Sequence, residues 1–381
     1  MRILLLISLT LVLGSLGGCI KSNTESKKLE VIQVPCEIYN ENGIIGCGKI
    51  PISLKEEVNK ILSPHCNSNF DNFNAATKKC LEENKKRVSD AYFLGNFTYY
   101  GKHFIKNEDA GLELIKFSAD NQNPEANLWL SEYYAKNGNI QQSIKYLKIA
   151  SDLGSPLAMH NLGARYSRGL GVEKNIEKSL LLLNQSKKYI AASYSEIALI
   201  DLMNGDVDSF VKNNNIAAEN KYWFALADLA ALYLGEMPSF EEYLDLEKAD
   251  ELANKLISHD VITGDFIKAR VLKHKSEKNP EVCKLYKKSF ENGYLPAGIN
   301  LGAEYLKGNY CEKDYHQALN VNLVLFKVGS NDIKIVSASN LGFIYLNGLG
   351  VPKDIVRSKV YLEYAAEHGY QPAQDMLNNL K

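Results

Sequence analysis

The chain has 381 residues, with 44 Lys and Arg against 45 Asp and Glu and a formal charge of −1. Near-neutrality excludes a generic polyanion binder, which needs a cationic excess. A mean hydropathy of −0.23 with 45% hydrophobic residues excludes both a disordered chain and a polytopic membrane protein, and the length admits two or three ordinary domains or one repetitive body.

The chain starts with Met1-Arg2, an apolar run from Ile3 to Leu13, and Gly14-Ser15-Leu16-Gly17-Gly18-Cys19. One cation before a short apolar stretch is the pattern of a secretory signal; the run falls short of the ~20 apolar residues that a transmembrane helix needs. Leu16-Gly17-Gly18-Cys19 resembles the lipobox of bacterial lipoproteins, in which small residues precede a Cys that is acylated and becomes the new N-terminus. The resemblance implies a signal peptide over 1–18, a lipid on Cys19 that anchors the protein to a membrane, and a body in the periplasm, where disulfides persist. Ile20-Lys21, with no Asp after the Cys, implies the outer membrane by likeness to enterobacterial lipoproteins. The polar stretch over 19–30 reads as a flexible tether.

Six cysteines remain: Cys36, Cys47, Cys66, Cys80, Cys283 and Cys311. Six allow fifteen connectivities, and their placement favours three local pairs in that order. Cys36 and Cys47 flank Asn42-Gly43 between apolar segments, which reads as a short β-hairpin. A metal site is the rival reading, but C-x-x-C and H-x-x-x-H spacings are absent. Residues 31–88 are thus expected to form a small disulfide-containing segment. The mixed-charge run Lys78–Arg87, which includes Glu82 and Glu83, reads as a solvated helix face.

From about residue 89 onward the chain repeats itself. Ala158, Leu162-Gly163, Tyr166, Gly169 and Gly171 recur as Ala297, Leu301-Gly302, Tyr305 and Gly308, and again as Ser337, Leu341-Gly342, Tyr345, Gly348 and Gly350. A stripe of small residue, Leu and Tyr at i, i+4, i+8 lies on one helix face. The small residues admit a close neighbour, and the glycines that follow end the helix. A second amphipathic helix follows, closed by Gly and Pro, as in Gly154-Ser155-Pro156 and Gly293-Tyr294-Leu295-Pro296. Register marks fall at Asp90, Ala126, Ala158, Ser193, Ala225, Thr263, Ala297, Ser337 and Ala373, about 35 residues apart, the period of a helix–turn–helix repeat.

The Leu-Gly-x-x-Tyr-x-x-Gly-x-Gly-Val-x-x-Asp pattern, closing on Ala365-Ala366 and Gly369, resembles the SEL-one-like repeat, a relative of the tetratricopeptide repeat. The resemblance implies an all-α fold: a right-handed α/α solenoid of about eight repeats over 89–381, with the last helix, from Gln371, as its cap.

Signatures of catalysis are missing: no phosphate loop, no G-x-S-x-G and no H-E-x-x-H. One Ser-x-x-Lys, Ser209 to Lys212, lacks the companion motifs of β-lactam chemistry. No catalytic, cofactor or metal residues are assigned. His160 and His368 are expected at the surface. Tyr134, Tyr166, Tyr233, Tyr305 and Tyr345 are expected in the core, and Trp129 and Trp223 are candidates for exposed anchors. The expected partner is therefore another protein, with no nucleic acid and no cofactor. Within that class the resemblance admits a periplasmic immunity protein that neutralises a secreted antibacterial effector such as a type VI phospholipase. The alternatives are an envelope scaffold for surface-structure or polysaccharide assembly and, as a third, a β-lactam-binding or hydrolysing repeat protein.

Overall fold

The computed structural model describes residues 75–276 and 278–380. Cys19, Cys36, Cys47 and Cys66, with the expected signal, tether and β-hairpin, lie outside the described residues. The described chain forms helices, and no strand occurs among them. It divides into two compact units that part between Tyr222 and Trp223.

The first unit opens with α1 (Ala75–Glu83), followed by four antiparallel helix pairs. These are α2 (Val88–Tyr100) with α3 (Glu108–Asp120), α4 (Pro124–Lys136) with α5 (Ile140–Asp152), α6 (Pro156–Arg168) with α7 (Ile176–Ser186), and α8 (Ala192–Met203) with α9 (Val207–Glu219). The second unit repeats the plan. It pairs α10 (Ala225–Tyr233) with α11 (Leu246–Ser258), α12 (Gly264–Lys275) with α13 (Glu281–Glu291), α14 (Leu295–Lys307) with α15 (Tyr315–Val328), and α16 (Asn331–Asn347) with α17 (Ile355–Glu367). A final helix, α18 (Gln371–Asn378), packs on α17. The fold class is the expected all-α solenoid of helix hairpins.

The hairpins share one set of physical devices. Every register mark is buried, from Asp90 to Ala373. Leu162, Leu301 and Leu341 are buried one turn later. The glycine after each Leu is a contact between the two helices of a pair: a Cβ on Gly163 would stand 2.9 Å from the Leu183 side chain, and one on Gly342 2.5 Å from Leu362. At those crossings Ser179 Oγ donates to the Gly163 carbonyl and Ser358 Oγ to that of Gly342, both at 2.8 Å. The residue two turns after the mark accepts a backbone bond from the N-cap of the second helix. Asn139 donates to Tyr134, Asn175 to Tyr166, Asp245 to Tyr233, Asp314 to Tyr305 and Asp354 to Tyr345, at 2.8–3.0 Å. The same Asn or Asp side chains then cap their helices, satisfying amides that have no partner within the helix.

This loop geometry corrects the reading of the tyrosines. Of the five expected in the core, only Tyr345 is buried; Tyr134, Tyr166, Tyr233 and Tyr305 are half-buried. Their position at the end of the first helix leaves one ring face open, and a cation on the next helix covers it in three repeats. Lys178 lies 5.7 Å from the Tyr166 ring, Lys248 5.0 Å from Tyr233, and Arg357 5.0 Å from Tyr345.

The turn from one hairpin to the next uses a residue at positive φ about one turn before six of the nine marks: Gln122, Gly154, Lys221, Asp260, Gly293 and Gly369. In the sixth hairpin this turn, with the bond from Val261 N–H to the Leu256 carbonyl, places the mark at Gly264 and not at Thr263. That hairpin also lacks the usual closing bond, because the N-cap position before α13 is Pro280, which has no N–H to donate. Instead, Tyr310 Oη donates to the carbonyls of Lys273 and Ser276, at 3.3 and 3.2 Å. Next to Tyr310, a disulfide joins Cys283 on α13 to Cys311 in the loop between α14 and α15, as the spacing predicted. Cys80 lies on α1, and its expected partner is outside the described residues.

Candidate functional site

In the first unit a row of aromatic and acidic side chains lies on the first helices, whereas exposed large apolar side chains such as Phe117, Leu181, Val324 and Val360 fall on second helices. In the first unit, α2 presents Tyr92, Tyr99 and Tyr100, and α4 presents Glu125, Trp129, Glu132 and Tyr133. These spacings of three, four and seven set the residues of each helix along one side of it. Trp129 is only 8% exposed. The expected anchor is therefore a floor: Tyr99 and Tyr100 meet its ring edge-on at 4.9 and 6.3 Å, and Tyr133 stacks on it at 5.5 Å. The row continues through Tyr134 to Tyr146, whose rings stack at 5.4 Å.

Two carboxylates border this row. Glu125 is half-buried in the first turn of α4. Its carboxylate accepts from Ser155 Oγ at 3.3 Å and has no cationic partner among the described residues. Burial pushes the Glu125 carboxyl above its ordinary range, the Ser155 bond opposing. The Tyr92 phenol is also raised, by burial first and then by the negative fields of Glu125 and Glu132.

Further along the unit a buried polar network joins α6, α7, α8 and α9. His160 Nδ1 is 3.0 Å from Ser193 Oγ, which is 2.8 Å from Ser186 Oγ. His160 is fully buried, which corrects its expected place at the surface. Its side chain turns towards the next hairpin, and burial, helped by the nearby Arg168 and opposed by Glu196, lowers it to about 4. Arg168 donates to both oxygens of Glu196 at 2.8 Å, and Ser195 donates to Asn214. Ser209 sits in the first turn of α9, its amide capped by Asp206, and Lys212 is exposed.

In the second unit ion pairs link successive hairpins, Arg270 with Glu236 at 2.6 Å and Lys273 with Glu304 at 2.7 Å, and Lys288 pairs with Asp265 within one hairpin at 2.9 Å. Trp223 is half-buried and stacks on His259 at 3.7 Å. His368 is exposed, as expected. A shallow groove of about 540 Å³ runs along α15 and α17, lined by Phe326, Arg357, Tyr361, Tyr364 and the exposed Val356 and Val360. Among the described residues no group of His, Cys, Asp and Glu is arranged to hold a metal ion, and no helix is long and apolar enough to cross a membrane.

The predicted repeat positions (Ala158, Leu162, Gly163, Tyr166, Ala297, Leu301, Gly302, Tyr305, Leu341, Gly342, Tyr345, Gly348 and Gly350) build the hairpins and do not meet at one place. Gly348 and Gly350 take the positive φ their turns demand. The grouping of Tyr99, Tyr100, Glu125 and Trp129 was not anticipated. Its signal was the departure of hairpins one and two from small residues on this side of the helix.

The family model of the Sel1 repeat matches residues 89–123, 124–155, 156–188, 297–320 and 335–370. Hairpins four to six, which carry much of the buried polar network, fall in the interval between these matches. The crystal structures similar to the chain include two with a TM-score above 0.5. One is a protective antigen present in uropathogenic Escherichia coli strains, displaying an SLR fold, at 19% identity and TM-score 0.53, over 80% of this chain and 67% of that one. The other is a Sel1 repeat protein from Oxalobacter formigenes, at 22% identity and TM-score 0.51, over 81% of this chain and 92% of that one. At these identities the likeness shows the fold alone. No curated protein matches.

Proposed function

We propose that this Sel1-repeat chain is a lipid-anchored protein-interaction module that grips a partner protein through its first helices and catalyses no reaction. The observation that carries the reading is a division of labour between helix faces. At Gly163 and Gly342, glycine, serine and leucine are spent on the seam between paired helices, while α2 and α4 keep aromatic and acidic side chains side by side. Such stacked repeats present an extended surface to a partner, and recognition depends on local chemistry rather than total charge. The Leu16-Gly17-Gly18-Cys19 stretch supports the anchor, and anchoring at the periplasmic side of the outer membrane supports a role in that compartment. Within it, neutralisation of a secreted antibacterial effector is the sharper form of the proposal.

In-cell crosslinking of the full-length chain, followed by mass spectrometry, tests the module. The expected result is one stoichiometric protein partner crosslinked to residues of the first helices; no stoichiometric partner would end the reading. For the anchor, Cys19→Ser is expected to move the protein from the membrane fraction to the soluble fraction, and unchanged membrane retention would contradict it. The effector proposal requires that cells lacking the protein become sensitive to the partner it captures.

A further inference from the structure

We infer that the aromatic cluster shared by α2 and α4 is a receptor for one cationic side chain, Lys or Arg, presented by the partner protein. The inference deepens the interaction reading and rests on it. Four rings, those of Tyr99, Tyr100, Trp129 and Tyr133, meet within 6.3 Å of one another along the contacts described. The faces of aromatic rings carry negative potential, so a group of them with an open side attracts a cation. The tyrosines are half-buried, with surface left to offer, while the indole beneath them is closed off.

Charge then selects among the possible occupants. Glu125 stands one helical turn before Trp129, and Glu132 lies one turn beyond the indole on the same helix. The Glu125 carboxylate has one hydroxyl donor and no cation among the described residues. A neutral sugar or an apolar anchor would use the rings and leave this charge without a counter-ion, a costly arrangement in a partly desolvated place. A guanidinium or ammonium group would stack on the rings and pair with the carboxylate together. The row already shows this affinity at its margins: Lys102 lies 5.6 Å from the Tyr100 ring and Lys145 5.7 Å from the Tyr146 ring. Those cations come from the chain itself, Lys102 on one of the four rings and Lys145 on the ring at the end of the row, and neither pairs with Glu125.

The chain has two tryptophans, so Trp223→Phe leaves Trp129 as the sole indole reporter. The probe is the peptide Ac-Gly-Lys-Gly-Arg-Gly-NH2, compared with its neutral counterpart containing acetyl-lysine and citrulline. The expected result is a saturable change in Trp129 fluorescence with the cationic peptide. The neutral peptide is expected to bind about tenfold more weakly, and Glu125→Gln to lose about tenfold in affinity for the cationic one. Circular dichroism checks that the variant is folded; should it not fold, Tyr99→Leu and Glu132→Gln carry the same expectation. No saturable change, or equal binding of the two peptides, would overturn the inference. So would full affinity in folded variants. A stoichiometric crosslinked partner alongside a failed peptide titration would remove this receptor and leave the interaction module standing.

Discussion

At His160 the neutral imidazole is sealed against Ser193 with no access to water, and that has a consequence for stability. Its folded-state value is near 4, against 6.5 for the free side chain. The unfolded chain therefore binds a proton that the folded chain refuses between these values. Stability is full above pH 6.5 and falls as the pH drops towards 4, by up to about 3 kcal/mol. Glu125 and Glu236, whose carboxyls burial raises, act in the opposite sense. The clean measurement is thus the difference between wild type and His160→Asn in urea unfolding at pH 7 and pH 4. The wild type should lose about 3 kcal/mol more than the variant; parallel losses would show that the imidazole is not the source. A second residue-scale prediction concerns Gln122, which holds φ at 65° where equivalent turns use Gly154, Gly293 and Gly369. Gln122→Gly should stabilise the chain by about 0.5–1 kcal/mol, read as a raised Tm, because relief of the left-handed strain exceeds the entropy that glycine adds to the unfolded state. His160 was misread from sequence because periodicity records which positions are apolar. It does not show that Ser186 and Ser193, on later elements, turn a polar position into a buried one.

Among the elements, the repeat was most legible where punctuation and stripe agree. In the hairpins marked by Ala158 and Ala297, a glycine at the left-handed turn, a proline in the first turn of the next helix and a buried leucine all identify the same register. It was least legible in the sixth hairpin. There Asp260 takes the left-handed turn in place of glycine and Pro280 stands where a donor N–H is needed, so local chemistry pointed one residue away from the true mark. The missing closing bond is compensated from the next hairpin, by Tyr310 and the Cys283–Cys311 disulfide. The bridge spans a sequence separation of 28 residues, and in the chain-entropy account its loss costs about 3.5 kcal/mol. Changing both cysteines to Ser should lower stability by about that amount and raise hydrogen exchange chiefly in α12, α13 and the loop before α15. Exchange that rises evenly through the second unit would contradict a local staple.

For the whole molecule, the balanced charge of −1 conceals a strongly uneven distribution of chemistry. Clustered aromatic rings and the Glu125 carboxylate lie in the first two hairpins, and buried polar pairs in the middle ones. An apolar groove lies between α15 and α17. Fold class was accessible from sequence because it depends on a short pattern repeated many times, so that errors in single units average out. The aromatic cluster was not, because it depends on residues of two different hairpins that no single repeat predicts. The central claim is that the first helices form the partner surface. Hydrogen exchange of the full-length chain, free and bound to its crosslinked partner, tests this most directly. The account predicts protection concentrated in first helices and strongest in α2 and α4; protection confined to the second helices, with α2 and α4 unchanged, would contradict it.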